Sequence, residues 1–396
     1  MKNVFFGLVL AASFALVACS DDSGSNTNNA GNTNNSNNSN NTNNSNNTNN
    51  TNNSNNVDKA AYAGAGAHGD LVTFSINHDD SSYVVHNETT SKDASGTYTV
   101  MSETLSGIYE ISDGASKFYA VELNDKILAA NFPTGNPDNT ISFGVSTEVA
   151  PKASDLAGDY VYIAISNDEV NGSKYNREWG LITMESAGTF VVKSYATGVG
   201  DATDYPEMAP ENLTTPFPIA SPDIHGTWAL DSNDPAKLNV SVTESGENLT
   251  GYGYADPTQA AFVLDLGPTN GFLLAFHVYD VSSVADLDGD YQFINVWNDQ
   301  NMTGRSAGVL HLDSSAGSSF SHLDVDGNIS TGSMDNLTQC PGLSNMFYFD
   351  STETGHGATV HERFYFVIMN EMVLGFGFTT DNDEFLFTSY SAGAKL

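Results

Sequence analysis

Cationic side chains are scarce in this chain. Of 396 residues only 13 are Lys or Arg, against 48 Asp and Glu, for a formal net charge of −35. Nucleic acid is excluded as a partner, because phosphate binding needs a cationic surface. Anionic lipid headgroups would also repel such a body, so charge cannot hold it to a membrane. Cysteine is scarcer still, with Cys19 and Cys340 as the two copies. Long apolar runs are confined to Val4–Ala18, and no stretch keeps a helical period. The motifs that announce common chemistries are also missing. No Gly-x-Ser-x-Gly elbow exposes a hydrolase serine, and no His-Glu-x-x-His pair offers a zinc site. No phosphate-binding Gly-rich loop and no dinucleotide fingerprint occurs.

What is present is a set of short apolar runs rich in Tyr, Phe, Val, Ile and Thr, separated by Gly, Asn, Asp and Ser. That composition suits a pleated surface with tight turns. Two of these runs repeat. LAGDYVYIAISND ends at Asp168 and LDGDYQFINVWND ends at Asp299. Each is followed by a second match, GLITMESAGTF from Gly180 to Phe190 and GVLHLDSSAGSSF from Gly308 to Phe320. Three further segments read as strand, polar turn, strand: FYAVELNDKILAANF from Phe118, AFVLDLGPTNGFLLAF from Ala261 and FYFVIMNEMVLGFGF from Phe364. Asn-Gly and similar pairs between apolar runs favour hairpins, because they tolerate positive φ. The expected class is all-β, with repeated antiparallel meander units of about seven or eight strands, barrel-like or sandwich-like. A repeat near 130 residues, rather than 40–50, argues against propeller blades. The expected units span 60–150, 151–282 and 283–396.

The N-terminus has its own pattern. Met1-Lys2-Asn3 gives a short basic head, Val4–Ala18 an apolar run, and Leu16-Val17-Ala18-Cys19 a small-residue ending. Fifteen residues of helix span roughly 22 Å, short of a hydrocarbon core of about 30 Å. The segment reads as a secretory signal. The Leu16-Val17-Ala18-Cys19 ending resembles the lipobox of bacterial lipoproteins. That resemblance covers residues 1–19 and implies cleavage after residue 18 and acylation of Cys19. Two or three acyl chains give lasting attachment where one is marginal. It also implies residence in the bacterial cell envelope. Ser20, rather than Asp, after the cysteine points to the outer membrane, on its periplasmic face or at the cell surface, and Ser20-Asp21-Asp22 is similar to an acidic export tag of some Bacteroidota lipoproteins. With Cys19 lipidated, Cys340 has no intramolecular partner, so stability must come from the core.

From Asn26 to Asn56 the chain is almost wholly Asn, Ser and Thr. Such a segment cannot bury enough apolar area to offset its backbone entropy. Residues 19–59 are therefore expected to form a lipidated cysteine and a disordered tether. Ser20–Asn56 as a flexible coil would span roughly 30–35 Å.

Candidate chemistry is sparse. Asp286-Leu287-Asp288-Gly289-Asp290 and Asp324-Val325-Asp326-Gly327-Asn328 place carboxylates at alternate positions, as calcium loops do, but lack the EF-hand spacing. His356 and His361, and His311 and His322, lie near one another without Cys or acidic companions at zinc spacing. Glu178-Trp179 and Trp297-Asn298-Asp299 could stack a sugar ring, although a Trp near a strand end more often fills a core. Lone Cys340 has no basic neighbour to activate it. The residues thus assign one site, the lipidation site Cys19, and no cofactor, metal or catalytic group. The expected function is a lipid-anchored envelope protein with non-catalytic β modules that bind or scaffold a protein or carbohydrate partner. The alternatives are a barrel that binds a small apolar ligand, and a polysaccharide-acting hydrolase with two facing carboxylates.

Overall fold

The computed structural model describes residues 59–395 apart from the segments 67–68, 102–106, 113–116, 124–125, 132–140, 167–175, 199–222, 245–246, 259–260, 268–270, 279, 300–302, 325, 341–342, 356–357, 370–371 and 380–386. The leader, Cys19 and the Asn/Ser/Thr tract lie outside the described residues. The chain is all-β and forms three closed barrels of eight antiparallel strands. Barrel 1 comprises β1 Lys59–Gly66, β2 Leu71–Asn77, β3 Ser82–Asn87, β4 Lys92–Val100, β5 Ile108–Ser112, β6 Lys117–Leu123, β7 Ile127–Ala130 and β8 Ser142–Ser146. Barrel 2 comprises β9 Gly158–Ser166, β10 Asn176–Glu185, β11 Thr189–Gly198, β12 Ile224–Leu230, β13 Lys237–Glu244, β14 Glu247–Asp256, β15 Ala261–Asp265 and β16 Phe272–His277. Barrel 3 comprises β17 Gly289–Asp299, β18 Thr303–Leu312, β19 Ser318–Asp324, β20 Ile329–Gln339, β21 Met346–Gly355, β22 Ala358–Met369, β23 Met372–Thr379 and β24 Phe387–Lys395. Each chain segment pairs with the next in sequence, and the first strand of each unit pairs with the last. Closure removes the open edges that a meander would otherwise expose.

Side-chain parity explains where the core sits. On β1, Ala60 and Tyr62 point into barrel 1, whereas Ala63 and Ala65 point out. The same alternation runs along β6 and β7: Phe118, Ala120 and Leu128 face in, and Tyr119, Val121 and Ile127 face out. The outward set is nevertheless buried. It joins Val161, Val263 and Leu274 of barrel 2 and Ile294, Val367 and Leu374 of barrel 3 in one cluster. The three barrels are therefore packed around a shared apolar junction. Phe143 meets Phe272 across barrels 1 and 2 at 5.3 Å between ring centroids. Trp179 stacks on Tyr365 across barrels 2 and 3 at 6.0 Å and an interplanar angle of 16°. Between barrels 1 and 3, Arg305 lies over the Phe118 ring at 4.2 Å and donates from Nη1 to the Lys117 carbonyl at 2.6 Å. Burying each large apolar side chain stabilises by about 1.5–3 kcal/mol.

This arrangement accounts for the uninterrupted apolar runs. A strand covered on both faces reads as a continuous hydrophobic stretch, and one with a wet face alternates. β7 and β15 are of the first kind. β4 and β20 bury only scattered residues, Tyr98 on β4 and Ser330 and Met334 on β20, and turn most of the rest to solvent.

The Leu-x-Gly-Asp-Tyr repeat builds a plug. A short 3₁₀ turn, Ala153–Asp155 or Val284–Leu287, precedes the first strand of barrels 2 and 3. Its start is held by an Asp side chain that accepts a backbone N–H three residues back, Lys152 to Asp155 at 3.1 Å and Ser283 to Asp286 at 2.9 Å. Leu156 and Leu287 are buried beneath it. The Tyr160 hydroxyl donates to the Leu156 carbonyl at 3.0 Å, and Tyr291 donates to Leu287 at 2.8 Å. Burial pushes both phenols up to about 12, with the Asp288 charge adding to the effect at Tyr291. Gly158 and Gly289 turn the chain into the strand at φ +152° and +148°. A Cβ on Gly158 would lie 2.4 Å from His277 Nε2.

One sequence match misleads about position. The hairpins from Phe118 and Phe364 are the sixth and seventh strands of their barrels, whereas the one from Ala261 is the seventh and eighth. Its turn therefore sits at the opposite end of barrel 2. Similar apolar runs mark contact with the junction, not equal rank in the unit.

Candidate functional site

Among the described residues, three places gather polar groups. The first is the end of barrel 1 where β1 begins. Glu122 on β6 is buried in the barrel interior, its side chain 4% exposed. The Tyr62 and Tyr109 hydroxyls donate to its two oxygens, Oε1 and Oε2 respectively. His78, just beyond β2, places Nε2 at 3.4 Å from Glu122 Oε2. Its other nitrogen, Nδ1, lies 2.9 Å from the Tyr98 hydroxyl. Tyr98 in turn packs on Tyr109 at 4.4 Å between centroids. The His78 side chain is 22% exposed and marks the solvent side of the cluster.

The second place is inside barrel 3. A cavity of about 60 Å³ is bounded by Phe293, Asn295, His322, Phe349, Ser351 and Glu353. His322 sits against Phe320 and brings Nε2 to 3.1 Å from Glu353 Oε1. This volume suits a few waters, well below the 300–1,000 Å³ of ordinary ligand sites. The Phe-lined barrel interior expected for a small apolar ligand is thus present in kind but not in size.

The third is a cleft of about 490 Å³ on the outside, between barrels 1 and 2. The outward faces of β1 to β3 form one wall through Thr73, Ser75 and Val84, and Asp234, Pro235 and Tyr254 form the other. Glu88 accepts from the Tyr254 hydroxyl at 2.8 Å and from Lys237 Nζ at 3.2 Å, bridging the two barrels. Burial, then the Glu88 hydrogen bond and charge, push the Tyr254 phenol well above its usual value. Val84 is 48% exposed at the wall, and the equally exposed Tyr252 lies beside Lys237.

The sequence candidates are distributed otherwise. Asp286 holds its 3₁₀ turn, Asp288 accepts from the Ser314 N–H and hydroxyl, and Asp290 pairs with His311 at 2.6 Å. Asp324 accepts from the N–H groups of Asp326 and Asn328 and so shapes its own turn. Neither carboxylate run converges on one point. His361 lies against Thr352, and His322 is in the barrel, away from His311 on the outside. His356 lies outside the described residues, as does the side chain of Trp297. Trp179 is fully buried at the junction and offers no sugar platform. Cys340 is buried. Among the described residues, no three His, Cys, Asp or Glu side chains come together as a metal site would require. The barrel 1 cluster went unread because its strand looked wholly apolar. The signal was available: Glu122 is an acid inside FYAVEL, at an inward-facing position.

No family model matches the chain, and no curated protein sequence matches it. Solved structures do show similarity. Transferrin binding protein B from serogroup B Neisseria meningitidis is 9% identical with a TM-score of 0.27, covering 85% of this chain and 77% of that one. A double mutant of the same-named protein from Haemophilus parasuis gives 9% and 0.25, covering 85% and 76%. A putative outer membrane protein from Bacteroides fragilis gives 12% and 0.22, covering 61% and 99%.

Proposed function

We propose that this chain is a lipid-anchored bacterial envelope protein, held at the outer membrane through Cys19, whose barrels bind or scaffold a partner with their outer surfaces. One observation carries the reading. Among the described residues, barrel 3 keeps an inner cavity of about 60 Å³, whereas a cleft of about 490 Å³ lies outside, between barrels 1 and 2. The cleft carries Asp234, with Glu88 paired to Lys237, in a body of net charge −35, which favours a neutral or basic partner surface, protein or carbohydrate, over an anionic one. The N-terminal motif supplies the anchor and the Asn/Ser/Thr tract supplies reach beyond the headgroups.

The test is Cys19→Ser. The native protein is expected in the detergent phase, with the mass of an acylated N-terminal Cys19. The variant is expected to be unprocessed or released. Unchanged mass and unchanged partition would overturn the anchor.

A further inference from the structure

We propose that the end of barrel 1 where β1 begins binds one ferric ion, with Tyr62, Tyr109, Glu122 and His78 as its ligands. Tyr62 pairs with Ser146, the last residue of its closing strand, as Tyr160 pairs with His277 and Tyr291 with Lys395. The three tyrosines are therefore equivalent. In barrels 2 and 3 the hydroxyl is spent on the carbonyl of the plug leucine. In barrel 1 the Tyr62 hydroxyl donates to Glu122. Glu122 stands second from the β6–β7 turn, where the matching residues are Ala255 and Ile368. By the same register Tyr109 corresponds to Leu238 and Phe347. Barrel 1 thus carries Glu122 and Tyr109 where the other two have apolar residues, and with the shared tyrosine and His78 they make four side chains that can ligate a metal.

The chemistry of that set is selective. Zinc favours Cys and His, and calcium and magnesium favour carboxylates, carbonyls and water. Two phenolates and a carboxylate are hard anionic oxygens, suited to a hard and highly charged cation. Their three negative charges balance three positive ones, so the filled site is neutral despite its burial. Without the ion, Glu122 has no Lys or Arg partner among the described residues, only the His78 pair and two hydroxyls. On binding, the two phenol protons pass to solvent, and the Glu122 carboxylate and His78 Nε2 complete the ligand set. The contact of Nδ1 with Tyr98 fixes the ring for this role, making Tyr98 a positioning residue. The acidic body draws cations toward the solvent side at His78.

The full-length protein, freed of metal with a chelator, is titrated with ferric nitrilotriacetate and read by visible absorption. The expected result is a phenolate-to-iron charge-transfer band that saturates at one ion per chain. Tyr62→Phe and Tyr109→Phe keep the rings, and unchanged circular dichroism verifies the fold. Each should lower iron affinity by at least about tenfold. Tyr291→Phe, at the equivalent place in barrel 3, should leave the band unchanged. A titration with no such band overturns the proposal. So does a band that survives both Tyr62→Phe and Tyr109→Phe, which would place iron on other tyrosines.

Discussion

The two sides of each barrel have different sequences and do different work. On the junction side, β7 and β15 are buried on both faces, and their side chains fill a barrel with one parity and join the shared core with the other. On the solvent side, β4 and β20 keep one sparse inward row and expose the rest. Each strand closes a barrel equally well. Only the first kind joins barrels into one body. The apolar content of a strand here reports what lies outside its barrel as much as what lies within.

The sharpest way to break this contrast is at the stacked pair Trp179 and Tyr365. Tyr365→Ala removes a fully buried ring from between barrels 2 and 3. It should cost about 3–5 kcal/mol, read as a lower urea midpoint. A loss below about 1 kcal/mol would mean that the barrels do not depend on each other.

A second test uses charge at the contact of barrels 1 and 2. Burial pushes the Asp265 carboxyl up from 3.8 to about 6, against the pull of the Gly267 N–H at 2.7 Å and with help from the Asp70 charge. The folded protein thus holds this proton more tightly than the unfolded chain does. The stabilising contribution is complete below about pH 4 and is lost as the pH rises through about 6. Asp265→Asn keeps the acceptor for Gly267 and removes the charge. It should raise stability at pH 7 by up to about 3 kcal/mol and leave it unchanged at pH 4. Equal effects at both pH values would rule out burial of this charge.

The smallest effect is expected on the solvent side. Ile329 is 68% exposed on β20. Ile329→Ser should shift stability by no more than about 0.5 kcal/mol. A large loss there would reveal packing on a face that looks open.

Much of the fold was legible in the chain. Turn residues between Tyr-, Phe- and Val-rich runs declared strands, and the two Leu-x-Gly-Asp-Tyr starts declared a repeat, because a positive-φ glycine and a hydroxyl reaching back four residues need those types at that spacing. Barrel closure was not fixed by pattern, since a sandwich alternates in the same way. The junction was hidden for a related reason: Val263 and Val367 look like any core valine until the partner barrel is in place. The polar cluster of barrel 1 was harder still. His78, Tyr98, Tyr109 and Glu122 come from four separate strand ends, and only the register brings them together. Cys19 depends on a local motif, so the described residues add nothing to it.

Scanning calorimetry of the whole protein tests the shared junction most directly. One cooperative transition, with calorimetric and van't Hoff enthalpies in agreement, is the expected result. Separate transitions for three barrels, or one barrel melting while the others persist, would contradict a body built around one core.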